Sequence, residues 1–243
     1  MTLQSAILIH VVIVVDKGDL LRVITQPDHA RFAAELLSLW RADGLPEHPR
    51  REQLLFAVRE HDNGWREADA APWVDPATQK PYDFTSYPDS ERLEIWHRGI
   101  LRFEDQRPYS ALLIAEHAEV IHQPLSADWQ SLFDQIDPLR QEWLDRAAAD
   151  RAEIKADYRH LETADGISLA FCTGRAAPWE GKSATAQVVE EVLHLDPFPL
   201  VGATTFQIPV RTIPNRPYAT DSQVGSALAR ARWTKITVKV RPY

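Results

Sequence analysis

A single cysteine, Cys172, stands in a chain of 243 residues, so no disulfide can form within it. It lies in "ISLAFCTG" and reads as a small core residue. Nothing around it in sequence supplies the positive charge that activates a thiol as a nucleophile. Long apolar runs are missing too. The stretch "AILIHVVIVV" spans ten residues, half of the roughly 20 that a membrane helix needs. It is followed at once by charge, without the cleavage site of a secretory leader. We therefore expect a cytoplasmic protein without a membrane partner. Basic charge is scarce: 27 Lys and Arg against 35 Asp and Glu leave a formal charge of −8. General nucleic-acid binding needs dense Lys and Arg against the phosphates and is excluded. Two catalytic signatures are also absent. "TGRAAPWEGKS" ends like a phosphate loop, yet the glycine required five positions before Gly181 is Ala176. No Gly-x-Ser-x-Gly elbow of a serine hydrolase occurs.

What is present suits a globular protein with a sizeable core, at 44% hydrophobic and 26% charged residues. Residues 7–15 and 20–25 are β-branched runs flanking Asp16-Lys17-Gly18-Asp19, a hairpin pattern. "TQPDHARFAAELLSLWR" then offers Thr25 as a cap and Pro27 in the first turn of a helix. Helical texture continues in "REQLLFAVREHD", "SERLEIWHRGILRFEDQ" and "YSALLIAEHAEVIH", and in a long charged stretch to Cys172 that Pro138 should interrupt. A loop carrying Trp73, Pro76, Pro81 and Tyr82 is long enough to cover something. Seven of the 17 prolines fall in residues 175–243, among runs such as "TTFQIPVRTI" and "KITVKVRPY" that read as antiparallel strands. The expectation is a mainly α fold: a helical bundle over 26–174, an N-terminal β-hairpin over 1–25, and a C-terminal antiparallel β-rich region over 175–243. The last may share a sheet with the hairpin.

Residues three and four apart share a helix face. On that rule His29 aligns with Phe32, Leu36 and Trp40, and His61 and Asp62 align with Leu54 and Val58. His97 joins Leu93 and Ile100, His117 joins Leu113 and Ile121, and Asp165 joins Tyr158, Leu161 and Leu169. Five helical segments thus turn a His or an Asp toward the core. Taken singly, each histidine is more often a hydrogen-bonded core residue than a ligand. Asp62 tips the balance, because an inward carboxylate needs a cation. Imidazole nitrogens and carboxylate oxygens together suit zinc, iron or manganese. His10, His48 and His194 are set aside as strand or loop residues, and His160 as a helix-surface residue. Glu94/His97 and Glu119/His122 repeat the Glu-x-x-His pattern of ferritin-like bundles, but no complete helix fits between them.

The pieces "QPDHARFA", "REHDNGW", "IWHRGI", "IAEHAEV" and "ETADGISLA" resemble the HD superfamily of metal-dependent hydrolases and oxygenases across about residues 25–175. "ITQPDHA", "HDNGW" and the Pro-rich tail also look like a bacterial branch of unknown function. The resemblance implies a helical HD-like bundle in which His29, His61, Asp62 and Asp165 bind a first divalent ion. It implies that His97 and His117 add a second, with Asp62 bridging and His122 a weaker substitute for His117. Many members follow the doublet with a basic residue, where this chain has Asn63-Gly64-Trp65.

The function expected on these grounds is hydrolysis of a phosphate ester or nucleotide-like small molecule by a metal-activated water, on one or two ions of iron, manganese or zinc. Asp62 would act at the metal, and Arg66 or Arg98 would hold an anionic substrate. The alternatives are a diiron oxygenase and an inactive metal-stabilised binding protein. A homodimer is left open.

Overall fold

The computed structural model describes residues 12–70, 72–175 and 177–243. The expected first strand before Val12, His10 and Ala176 lie outside the described residues. Strands β1 (Val12–Asp16) and β2 (Leu20–Thr25) pair antiparallel with Val14 opposite Val23. Their turn closes by Lys17 N–H donating to the Leu20 carbonyl, and Gly18 takes φ +79°, a conformation that a side chain resists.

Thr25 ends β2 and starts helix α1 (Gln26–Ser38). Its Oγ1 accepts the Asp28 N–H at 3.2 Å, and Pro27 sits in the first turn, where its missing N–H leaves no bond unmade. Phe32, Ala33, Leu36, Leu37 and Trp40 then form a buried stripe. Helix α2 (Arg51–Glu60) carries Leu54, Ala57 and Val58 inward, and a single 3-10 turn over Asn63–Trp65 leads to the short α3 (Arg66–Ala70). The expected covering loop contains a two-stranded ribbon, β3 (Val74–Asp75) and β4 (Lys80–Pro81). Its Trp73 and Tyr82 pack on Tyr87 and Trp65.

Helices α4 (Asp89–Leu101), α5 (Pro108–Ile121), α6 (Ala127–Ala147) and α7 (Arg151–Cys172) follow. Pro108 begins α5, as its ring prefers. Pro138, expected to break the chain, lies inside α6. The buried side chains Trp129, Leu132 and Phe133 before it, and Trp143 and Leu144 after it, hold both halves against the core. Such packing outweighs the roughly 3 kcal/mol that an interior proline costs. The helix stops instead at Ala148, φ 47°, and Asp150 caps α7 by accepting the Glu153 N–H at 2.9 Å.

The C-terminal third adds β5 (Trp179–Glu180), β6 (Thr185–Val189), β7 (Val192–Asp196), β8 (Thr204–Pro214), helix α8 (Asp221–Arg230) and β9 (Thr234–Pro242). All but β3 and β4 join one curled sheet of seven strands in the order β1-β2-β8-β9-β7-β6-β5. Strand β8 bonds β2 through Arg211–Pro214 and β9 through Thr204–Val210. Pro209 lies opposite Lys235 in the β9 ladder and just before the β2 pairing begins. The strands are not all antiparallel, since β7 and β9 run parallel, and α8 lies where only strands were expected.

These features correct the expected fold class. The molecule is mixed α/β, about 48% helical and 21% strand, not a mainly α bundle with β attachments. The reason is visible in the core. Phe32 of α1 meets Phe206 of β8 at 5.4 Å and Phe171 of α7 at 6.2 Å between ring centroids, so the sheet and the helices bury one shared interior. Among the described residues, no helix is long and apolar enough to cross a membrane.

Candidate metal centre

His29 projects from the first turns of α1, His61 from the C-terminal cap of α2, Asp62 from the next position, His117 from α5 and Asp165 from the middle of α7. All five meet in the interior. His29 and His61 are 0% and 1% exposed and Asp62 is 6% exposed, so water contributes little to their solvation.

The hydrogen bonds fix which nitrogen carries the proton in each neutral ring. His61 Nδ1 lies 2.7 Å from the Val58 carbonyl, which can only accept, so Nδ1 bears the hydrogen. His61 Nε2 then turns its lone pair to Asp62 Oδ2 at 3.4 Å and Asp165 Oδ1 at 3.3 Å, and it has no hydrogen-bond partner. In the same way Ser168 Oγ donates to the Asp165 carbonyl and so accepts from His29 Nδ1–H at 2.7 Å. That leaves the His29 Nε2 lone pair against Asp62 Oδ2 at 2.6 Å. Lone pairs face carboxylates at both rings. A positive charge between them, a proton or a metal ion, removes the conflict.

His29, His61 and Asp165 each offer a ligand atom within 4.8 Å of the others. Ligands of a tetrahedral ion at about 2.1 Å are about 3.4 Å apart. The two contacts of His61 Nε2 match that spacing. The carbonyl and hydroxyl behind the two rings are the outer partners that metal-bound imidazoles ordinarily have. The donor set therefore fits one divalent cation. His117 stands beside it, its ring centroid 5.0 Å from that of His61 and its Nε2 4.0 Å from Asp165 Oδ2.

The electrostatics agree. Burial alone would lower the His61 pKa, but Asp62 and Asp165 drive it well above its ordinary value. Burial alone would raise both carboxyls, yet the facing imidazoles hold Asp62 and Asp165 below the usual carboxylate range. His117 behaves differently: burial prevails and pushes it down to about 4, leaving a neutral ring at pH 7.

His97 is not part of the cluster. The inner face of α4 is centred on Trp96 and Ile100, one position from the expected stripe, with Ile95 and Gly99 also buried. One residue is about 100° of helix rotation, and the larger Trp96 takes the inward place. Gly99 fixes that rotation, because its backbone touches Gly64 of the 3-10 turn. Arg66 and Arg98 are also elsewhere. Arg66 pairs with Glu60, while Arg98 donates to the Gly64 carbonyl at 2.7 Å and lies 3.1 Å from the Glu67 carboxylate as an ion pair. Glu60, the partner of Arg66, is buried. His160 is buried as well, its ring 6.1 Å from that of His48, which bonds Asp157 at 3.1 Å.

A chamber of about 310 Å³ opens onto the cluster, walled by Trp65, Phe84, Trp96 and Ile121 and including Gln26, Arg92 and His122. It continues through His117, Asp165 and Leu169 into an outer cleft of about 830 Å³ beside Tyr158, Trp179 and Lys182. Sequence reasoning missed Arg92, Trp96, Gln26 and Ser168. The last had a signal, since it lies one turn beyond Asp165 on the same helix face.

The description "protein of unknown function (DUF3891)" matches residues 12–215. The chain belongs to the DUF3891 family. The resemblance to the HD superfamily is overturned by that match and by the large curled sheet, which a helical HD fold lacks. Neither the curated proteins nor the solved structures contain a match.

Proposed function

We propose that this DUF3891 protein is a metal-dependent hydrolase of a small anionic substrate, with a phosphate ester as the substrate class. The observation that carries the reading is the buried, unpartnered Nε2 of His61, its other nitrogen committed to a carbonyl and two carboxylates before it. A buried imidazole nitrogen usually has a hydrogen-bond partner. This one faces two carboxylates, an arrangement that a divalent cation would complete.

His29, His61 and Asp165 would hold the ion, with Asp62 beside them. A divalent ion so held supplies a nucleophilic water at neutral pH by lowering the water's pKa from roughly 15.7 to about 7. Asp62, held below the usual carboxylate range by the facing imidazoles, stays ionised and would orient that water by accepting a hydrogen bond from it. Hydrolysis would join a water oxygen to phosphorus as the ester P–O bond breaks, with the water's proton leaving on the alcohol. His117 is neutral and bounds the chamber at the Asp165 side, where it can orient the substrate. Trp65, Trp96 and Phe84 keep bulk water from the reacting atoms. The dinuclear alternative has less support, because His97 lies outside the cluster.

The test is turnover of a phosphomonoester and phosphodiester panel by protein loaded in turn with zinc, manganese and iron(II). Metal-dependent release of product that falls at least a hundredfold in Asp165→Asn is expected. Inertness of every metal-loaded form across the panel would sink the proposal.

A further inference from the structure

Resting on that reading, we infer that Arg92 is the anion-binding residue of the inner chamber and sets the substrate's charged group against the metal cluster. Sequence points to Arg66 or Arg98 for this role, but neither lines the chamber: Arg66 pairs with Glu60, and Arg98 donates to the Gly64 carbonyl and lies beside Glu67. Arg92 is the Lys or Arg side chain that lines the inner chamber among the described residues.

Its bonding is incomplete. A guanidinium has five N–H donors. Arg92 uses Nη2 on Asp89 at 3.0 Å, an i,i+3 pair whose carboxylate is exposed and which therefore contributes little. Its Nε is buried with no partner. A buried donor without an acceptor is costly, and a planar fork with free N–H groups suits a phosphoryl or phosphonyl group better than a point charge does. The guanidinium also lies 5.9 Å over the ring of Trp129, on which His122 stacks at 3.5 Å, so the arm has a supporting surface. Also in the chamber, Gln26 is 2% exposed and its Oε1 has no partner either. That amide oxygen accepts hydrogen bonds, so it suits a substrate hydroxyl, while the donors of Arg92 suit the anion.

The chamber's shape limits the class further. At about 310 Å³, with indole and phenyl walls, the inner space takes a charged head group and a compact linker. The remainder of the substrate extends past His117 and Leu169 into the outer cleft, where Tyr158, Glu162 and Lys182 offer polar contacts. The substrate class is a phosphate ester whose body carries hydrogen-bonding groups, not a long apolar chain.

The experiment follows binding of inorganic phosphate and of methylphosphonate by tryptophan fluorescence, in metal-free and metal-loaded protein. It compares wild type, Arg92→Gln, Arg92→Lys and, outside the chamber, Arg66→Gln, with metal content measured on each. Arg92→Gln should weaken both anions at least tenfold while retaining the wild-type metal content, and Arg92→Lys should weaken them several-fold. Arg66→Gln should bind them as wild type does. Should Arg92→Gln fail to fold, the lysine variant decides. Equal affinity in wild type and the Arg92 variants, or no anion binding by wild type, overturns the inference while leaving the metal reading in place. Absence of metal with Arg92-dependent anion binding removes the hydrolase reading and leaves the subsite standing.

Discussion

His122 stacks on Trp129 and gives its Nδ1–H to the Ala118 carbonyl, and burial lowers its pKa to about 4. An unfolded histidine titrates near 6.5. Between those two values the unfolded chain binds more protons than the folded one, so stability rises with pH across the window. Equivalently, stability is lost as pH falls from about 6.5 toward 4. Replacing His122 with Phe keeps the aromatic stack and removes the titration. The Tm of His122→Phe should therefore fall less steeply than that of wild type over this range. Parallel Tm curves would contradict the assignment. Cys172 makes a second test at this scale. It is fully buried, and burial pushes its thiol well above the ordinary range. A disulfide reagent should leave it unmodified in the native protein and modify it once denaturant is added. Reaction at comparable rates in both states would show that the core is open there. At the residue scale the sequence was informative for His29, His61, Asp62, His117 and Asp165, because their inward direction follows from apolar neighbours three and four positions away. It was uninformative for Arg92, whose importance depends on which arginines find partners in space.

Element by element, legibility followed periodicity. Helices α1 and α2 present the faces that their apolar spacing predicts, and the cap at Thr25 is set by local chemistry. Helix α4 does not, because its rotation is chosen by a contact far away in sequence. A Cβ on Gly64 would stand 2.1 Å from the Ile95 carbonyl and 3.0 Å from the Gly99 Cα. The close crossing that turns Trp96 inward therefore requires glycine at position 64. Gly64→Ala should destabilise the protein by about 1–3 kcal/mol or more, the usual scale of overpacking, and disturb the Asn63 side chain, which donates to the Glu60 and Gly99 carbonyls. Urea unfolding measures this, and a midpoint within error of wild type would refute the crossing. The β6–β7 turn was similarly hidden. Glu190 and Glu191 both take positive φ, at 49° and 62°, where asparagine and glycine are the usual signal. Helix α8 buries Val224 and Leu228, four positions apart, a helical spacing present in the sequence but masked by the strand-like runs on either side.

For the whole molecule, pairing between distant segments decides the architecture, and single-sequence patterns do not record it. Strand β2, near the start of the chain, bonds β8 near the end, and β9 closes back onto β7. Phe206, Ile208, Val210, Val238 and Val240 from those late strands share one core with Phe32, Leu36 and Phe171. The helices and the sheet should consequently unfold together. Calorimetry should give one transition whose van't Hoff and calorimetric enthalpies agree. A protein cut back to residues 1–174 should fail to reach a cooperative fold, since it loses that face of its core. Two resolved transitions, or a stable truncated form, would instead restore the picture of a helical body with a sheet attached. The same unity bears on the site. The sheet supports α1 and α7, which carry His29 and Asp165.

The most direct measurement is the metal content of protein purified without chelator, set beside that of His61→Ala. The account predicts a zinc, manganese or iron ion at close to one per chain in wild type and little or none in the variant, with the fold of both intact. A wild-type protein that neither carries nor takes up a divalent ion, or a variant that holds as much as wild type, would contradict it. The positive charge between His61 and the two carboxylates would then be no more than a proton.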